Sequence, residues 1–290
     1  PNLPTDGSSH ITKKVEEAIS HGITFVVLSG NFAQQHWEGK FNDNNSNSWH
    51  EFSGTDEGLS VEVTNNQILR NQPIMIYLNW QETKGEQADF DLVLVDPLGQ
   101  IVEYSANQQS GPNDEDTEYV YHMPQMPGLY AIGISYAKET DPTNIPRYTT
   151  LDLFSVNNEI EYAVAKSSVV VPGDAKGAIV VGAISNDDGS LEPFSSHGPT
   201  NDGKMAPHVV GPNGVTTLAY NGKLFYGTSA TTPYVAGITA LMLEGSNLTP
   251  DQVLEKIHQN AILDTTIEKD TELKTGFGYG ALDAMFLLEQ

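Results

Sequence analysis

Apolar positions along the chain follow three different rhythms. Ile11, Val15, Ala18 and Ile19 recur at helical spacing and end at His21-Gly22, a cation and a glycine of the kind that close a helix. Ile23-Thr24-Phe25-Val26-Val27-Leu28 then runs without alternation into Ser29-Gly30-Asn31, the pattern of a buried parallel strand ending in a turn. From about Trp49 to Tyr162 the period shortens to two. Strands are predicted at Ile74–Trp80, Phe90–Val95, Gln100–Tyr104, Glu118–Met123, Leu129–Tyr136 and Thr150–Val156. Asp96-Pro97-Leu98-Gly99 and Met126-Pro127-Gly128 supply turns between them. Such strands, with no helical pattern between them, predict an antiparallel sandwich. Beyond it, Val235, Ile238, Leu241 and Met242 return to helical spacing.

The last of these helices opens on Gly227-Thr228-Ser229-Ala230-Thr231-Thr232-Pro233-Tyr234-Val235-Ala236-Gly237. A serine at a helix start lies near unpaired N–H groups and the positive end of the helix dipole. That setting suits a nucleophile whose attack creates an oxyanion, and it equally suits a simple cap. The nucleophile elbow Gly-x-Ser-x-Gly does not fit, because Thr231 stands at its fifth position.

The whole string resembles the nucleophile motif of subtilisin-like serine proteases, Gly-Thr-Ser-x-x-x-Pro-x-Val-Ala-Gly, with Ala230 and Tyr234 as departures. Phe194-Ser195-Ser196-His197-Gly198-Pro199, continuing to Val209-Val210-Gly211-Pro212, resembles a scaffold stretch of the same family. There Ala206, His208 and Gly211 depart from the usual Lys, Asp and Ala. Gly276-Phe277-Gly278-Tyr279-Gly280-Ala281-Leu282-Asp283-Ala284 resembles the family's closing segment. The resemblance covers residues 1–40 and about 163–290. It implies an α/β fold with a doubly wound, mostly parallel sheet, Ser229 as catalytic nucleophile, and Asn31 as side-chain donor to the oxyanion. Phe90–Gly99 resembles the jelly-roll-like domains attached to or inserted into secreted bacterial proteases, which assist docking or stability. The expected organisation is core at 1–48, an inserted antiparallel β-sandwich at 49–162, and core with the nucleophile at 163–290.

A serine nucleophile needs a base and an acid that orients it. The family takes both from before the Asn31 strand, the base from a Gly-His-Gly-Thr motif. None of the eight histidines stands in such a motif, and Asp6 is the sole aspartate before Asn31. The expectation is a C-terminal portion of a longer subtilase, inactive alone. It would be completed by an N-terminal part of the same protease or would self-associate across an uncovered sheet edge. The alternative is a non-catalytic subtilase-like binding or structural module.

A net charge of −24 argues against nucleic acid or an anionic membrane as partner and is compatible with a soluble extracellular protein, cationic substrates or a salty habitat, while the resemblance implies a polypeptide substrate. There is no cysteine, so no disulfide and no thiol chemistry. No apolar run approaches the ~18 residues of a membrane span. A secreted or cell-surface location is expected. No cofactor is required, and Asp89, Asp91, Asn113, Asp114, Glu115 and Asp116 are candidate oxygen ligands for a structural calcium ion.

Overall fold

The computed structural model describes residues 1, 3–81, 88–109, 116–137 and 146–285. In chain order it begins with helix α1 (His10–Ser20) and strand β1 (Val26–Leu28). There follow β2 (His36–Lys40), β3 (Leu59–Val63), α2 (Asn65–Leu69), β4 (Ile74–Gln81), β5 (Phe90–Val95), β6 (Ile101–Ser105), β7 (Thr117–His122), β8 (Gly128–Tyr136) and β9 (Thr150–Ser155). The remainder holds β10 (Ile179–Ile184), β11 (Val209–Pro212), β12 (Val215–Thr216), β13 (Leu224–Phe225), α3 (Thr228–Leu243), α4 (Pro250–Asn260), β14 (Ala261–Ile262), α5 (Thr265–Lys269), α6 (Thr271–Phe277) and β15 (Ala281–Leu282). Two compact units result, one made of Pro1–Leu3 and Gln34–Val164, the other of Pro4–Ala33 and Ala165–Gln290.

The first unit carries two four-stranded antiparallel sheets, ordered β2-β9-β4-β7 and β3-β8-β5-β6. Alternation sends Ile74, Ile76 and Leu78 of one sheet and Phe90, Leu92, Leu94, Ile132 and Ile134 of the other into a common core, all fully buried. Each such side chain contributes ~1.5–3 kcal/mol by leaving water. The change of pattern at Trp49 does not mark where this unit starts. His36–Lys40 pairs residue for residue with Thr150–Phe154, which brings the unit's beginning back to residue 34. Sequence pattern alone misses this strand because His36-Trp37-Glu38-Gly39-Lys40 holds a single large apolar residue.

A polar pair is sealed into the same unit. The His36 ring donates from Nε2 to Asp152 Oδ1 at 2.6 Å and from Nδ1 to the Val164 carbonyl at 2.7 Å. Donation from both nitrogens requires the imidazolium. Burial pushes His36 down, but the Asp152 charge and hydrogen bond outweigh it and the pKa is raised.

The second unit holds a five-stranded sheet ordered β1-β10-β11-β15-β14, with β1, β10, β11 and β15 parallel and β14 antiparallel at its edge. On one side Ile179, Val181 and Val209 pack against Val235, Ile238 and Met242 of α3 and Val253 and Ile257 of α4. On the other, Val27 and Val180 meet Val15 of α1. Two expected core positions turn outward, since Ile11 is 41% and Leu241 57% exposed. In α1 the inward place falls to Thr12, fully buried, whose hydroxyl donates to Asp174 Oδ1 at 2.7 Å. Ser9 caps this helix by accepting the Thr12 N–H at 3.0 Å.

Two predictions follow from these polar interiors. Asp152→Asn leaves a buried histidine facing an amide and should cost about 3 kcal/mol in denaturant unfolding at pH 6. Because the folded pKa of His36 lies above its unfolded value, the stability it adds is complete below about pH 6.5 and fades as pH rises through the folded pKa. His50 and His208 have the opposite sign, with pKa values pushed down to about 4 by burial. What they contribute is complete above about pH 6.5 and is lost between there and about pH 4, roughly 3 kcal/mol each. Thermal unfolding across that range should show the decline, and His208→Gln should flatten it.

Candidate active site

In the parallel sheet of the second unit, chemistry belongs at the carboxyl ends of the strands. Asn31 follows β1, Asn213 follows β11, and α3 starts with Thr228 after the loop that leaves β11. The residue before it, Gly227, has φ +112°, a conformation L side chains avoid. A Cβ there would also stand 3.1 Å from Asn31 Nδ2. Gly30 is constrained likewise, with φ +120° and a hypothetical Cβ 2.7 Å from Ser196 Oγ.

Asn31 and the start of α3 meet directly. Asn31 Oδ1 accepts both the Thr228 N–H and the Thr228 hydroxyl, each at 2.9 Å. A backbone N–H can only donate, so the atom it meets must be the carboxamide oxygen. This fixes the side chain's orientation and turns Nδ2 away from Thr228. Nδ2 donates to no acceptor among the described residues, and Asn31 is exposed. Ser229 is the second residue of α3 and is exposed as well. Its N–H and Oγ have no hydrogen-bond partner among the described residues. The helix is capped at Gly227 without a side chain, so Ser229 is not serving as its cap. Pro233 brings no N–H to the carbonyl of Ser229 one turn earlier, while Thr231 and Thr232 hydroxyls bond the Thr228 carbonyl at 3.0 and 2.8 Å. A free hydroxyl, a free N–H and a free carboxamide N–H₂ are thereby presented around one helix start. Groups of these kinds can serve chemically as a nucleophile and as donors to an oxyanion.

No histidine hydrogen-bonds Ser229 among the described residues. His36, His50 and His122 belong to the other unit. His208 precedes β11, at the end of the strand opposite Asn213, and its Nδ1 accepts the Val180 N–H at 3.0 Å. His258 stacks on Tyr279 with centroids 3.7 Å apart. His197 is buried, its pKa lowered by that burial, and its Nδ1 lies 3.5 Å from Thr275 Oγ1. His10 and His21 are exposed at the two ends of α1.

Of the candidate calcium ligands, Asn113, Asp114 and Glu115 lie outside the described residues. Asp91 has a raised pKa, from burial first and then from the charges of Asp89 and Glu118. Glu118 itself is satisfied by amides, accepting from Asn107 N–H at 2.7 Å, Asn107 Nδ2 at 2.9 Å and Gln109 Nε2 at 2.9 Å. Among the described residues no group of three or more His, Cys, Asp or Glu side chains is placed to hold a metal ion. No helix among them is long and apolar enough to cross a membrane.

Asn213, which stands in no motif, also reaches this helix start: its Oδ1 accepts the Gly227 N–H at 2.8 Å. The signal in the sequence is slight, an Asn between Pro212 and Gly214 after an apolar strand.

The model of the subtilase family, peptidase S8, matches residues 134–280, just over half of the chain. The serine protease AprX of Bacillus subtilis (strain 168) is 32% identical over 142 residues, covering 40% of this chain and 31% of that protein. The chain thus matches about a third of the length of this curated relative. Among solved structures, the CspB protease of Clostridium perfringens aligns over 98% of this chain and 64% of its own, with a TM-score of 0.69 and 17% identity. At that identity the likeness speaks for the fold, which is subtilisin-like α/β with parallel and antiparallel strands. With a family model spanning half its length and its motifs meeting at one helix start, the chain belongs to the subtilase family.

Proposed function

We propose that this chain carries the nucleophile and oxyanion half of a subtilisin-like serine endopeptidase. The observation that carries the reading is the orientation of Asn31, whose oxygen is held by Thr228, the residue before Ser229, and whose Nδ2 has no acceptor among the described residues. In the reaction, Ser229 Oγ attacks a peptide carbonyl and yields its proton to a base. The carbonyl oxygen becomes an anion and takes hydrogen bonds from Asn31 Nδ2 and the Ser229 N–H. Collapse expels the amine with the base's proton and leaves an acyl-enzyme, which water hydrolyses by the same steps. These steps use protein groups alone.

The base and its orienting acid reach Ser229 from outside residues 1–290, and the chain alone is inactive. β1 stands at the edge of the parallel sheet, where a further strand of the base-bearing segment can add. Failing that segment, the same edge favours self-association. The unit around residues 34–164 is an inserted, jelly-roll-like β-sandwich that assists substrate docking or stability and has its own core. The acidic surface suits a secreted or cell-surface protease. A non-catalytic subtilase-like module is the second reading, favoured by the absence of a histidine hydrogen-bonded to Ser229 among the described residues.

The two readings separate experimentally. The isolated chain should leave Ser229 unlabelled by a fluorophosphonate probe, and the natural full-length protein should be labelled at Ser229. Absence of labelling in the full-length protein favours the non-catalytic module. In that protein Asn31→Ala should lower kcat about 10²–10³-fold with KM little changed, as expected for a donor that acts on the transition state. An unchanged kcat would remove Asn31 from the oxyanion role.

A further inference from the structure

We infer that Asn213, held by Glu192, is a positioning residue that sets the turn on which the nucleophile sits. This rests on the reading of Ser229 as nucleophile. Asn213 is 2% exposed and bridges three segments of the second unit. Its own N–H donates to the Ile184 carbonyl at 2.8 Å, which fixes its backbone to the end of β10. Its Oδ1 accepts the Gly227 N–H at 2.8 Å, and its Nδ2 donates to Glu192 Oε1 at 2.9 Å. Glu192 is itself tied down, its N–H donating to the Ala183 carbonyl at 3.0 Å.

The carboxamide can take only one orientation. A carboxylate demands a donor and a backbone N–H demands an acceptor, so flipping the amide would lose both bonds in a buried place. The bond to a carboxylate is charge-assisted and is the stronger of the two. Glu192 therefore dictates which way Asn213 Oδ1 points, and Oδ1 dictates where Gly227 lies.

Gly227 is where such control matters. Its N–H precedes the helix and has no intrahelical partner, its φ is +112°, and as the N-cap residue it has no side chain of its own to cap α3. The next N–H, of Thr228, is taken by Asn31 Oδ1 at 2.9 Å. Two carboxamides from two strand ends thus hold two successive N–H groups, and the following residue is Ser229. Asn31 presents Nδ2 in one direction only while Thr228 stays in place, and Thr228 is placed through Gly227 by Asn213. Glu192 and Asn213 touch neither substrate nor reacting atoms in this scheme. They act on the alignment of Ser229 with its oxyanion donors, where an error of about 1 Å costs on the order of 10²-fold in rate.

The test uses the full-length protease and steady-state hydrolysis of a peptide substrate across pH 6–9. Asn213→Asp keeps an acceptor for the Gly227 N–H but sets two carboxylates against each other. It should lower kcat by roughly 10–100-fold at pH 8 with KM within about twofold. Activity should recover toward pH 6, because one shared proton restores a donor between the carboxyl groups. Adding Glu192→Gln supplies that donor at every pH. The double variant should regain most of the wild-type kcat and lose the extra pH dependence. A structural role alone would lower the unfolding temperature and leave kcat and its pH profile as in wild type, and that result overturns the inference. So does a double variant no better than Asn213→Asp. Amide hydrogen exchange on the isolated chain provides a measure independent of turnover. The Gly227 amide should be protected in wild type and in the double variant and should exchange faster in Asn213→Ala. Rapid exchange in wild type also overturns the inference. If wild type hydrolyses no peptide, or Ser229→Ala hydrolyses as well as wild type, the reading of the site fails and this inference with it. Indifference of Asn213 variants in an enzyme that Ser229→Ala inactivates overturns the inference alone.

Discussion

The second unit turns on one contact, the pair of hydrogen bonds from Thr228 to Asn31 Oδ1, made between residues 197 positions apart. Neither partner could be there without the sheet. β1 and β11 are not direct neighbours; β10 lies between them, and because the three strands run parallel their carboxyl ends face the same way, with Asn31 following β1 and Asn213 following β11. α3 packs Val235, Ile238 and Met242 on that sheet and so carries its own first residue to the same end. The apolar burial that forms the core therefore also aims the polar groups. The contact closes the loop between local geometry and chemistry, because the N–H that fixes the Asn31 oxygen is what leaves its Nδ2 free.

Glycine is required where the two segments come together. A Cβ on Gly227 would press on Asn31 Nδ2, and a Cβ on Gly30 would press on Ser196 Oγ. Both residues also have strongly positive φ. Strain of this kind persists where surrounding bonds over-determine the backbone, and here the Gly227 and Thr228 N–H groups are both captured by side chains. The other unit solves its polar interior differently. It seals an imidazolium and a carboxylate together in His36 and Asp152, which makes its stability respond to pH with a sign opposite to that of His50 within the same core.

Much of this could be read from the chain before folding. Phe90–Val95 is a strand in the structure as in the pattern, and the strands at residues 74–81, 101–105, 117–122, 128–136 and 150–155 lie within a residue or two of expectation. Strict alternation against one core explains why. Leu59-Ser60-Val61-Glu62-Val63 alternates just as clearly and is a strand as well. His36–Lys40 carries no such signal; pairing with β9 makes it a strand. The helix starting near Ser229 and the turn at Asn31 that meets it were legible because both lie in ordered motifs. Asn213 and Glu192 were not, because a single bridging carboxamide has no periodicity and no motif. Its meaning exists only once Ile184, Glu192 and Gly227 are brought to it by the sheet. Ile11 and Leu241 show the converse, apolar residues at helical spacing that face water because the helix touches the sheet along a narrower stripe than the spacing suggests.

The central claim is that Ser229 and the free Nδ2 of Asn31 address the same oxygen. A crystal structure of the full-length protein phosphonylated at Ser229 tests it most directly, since the tetrahedral phosphoryl group stands in for the oxyanion intermediate. The account predicts a phosphoryl oxygen about 2.7–3.1 Å from both Asn31 Nδ2 and the Ser229 N–H, with Asn31 Oδ1 still bonded to Thr228. A phosphoryl oxygen turned to solvent, or an Asn31 side chain swung away while Ser229 is modified, would contradict it.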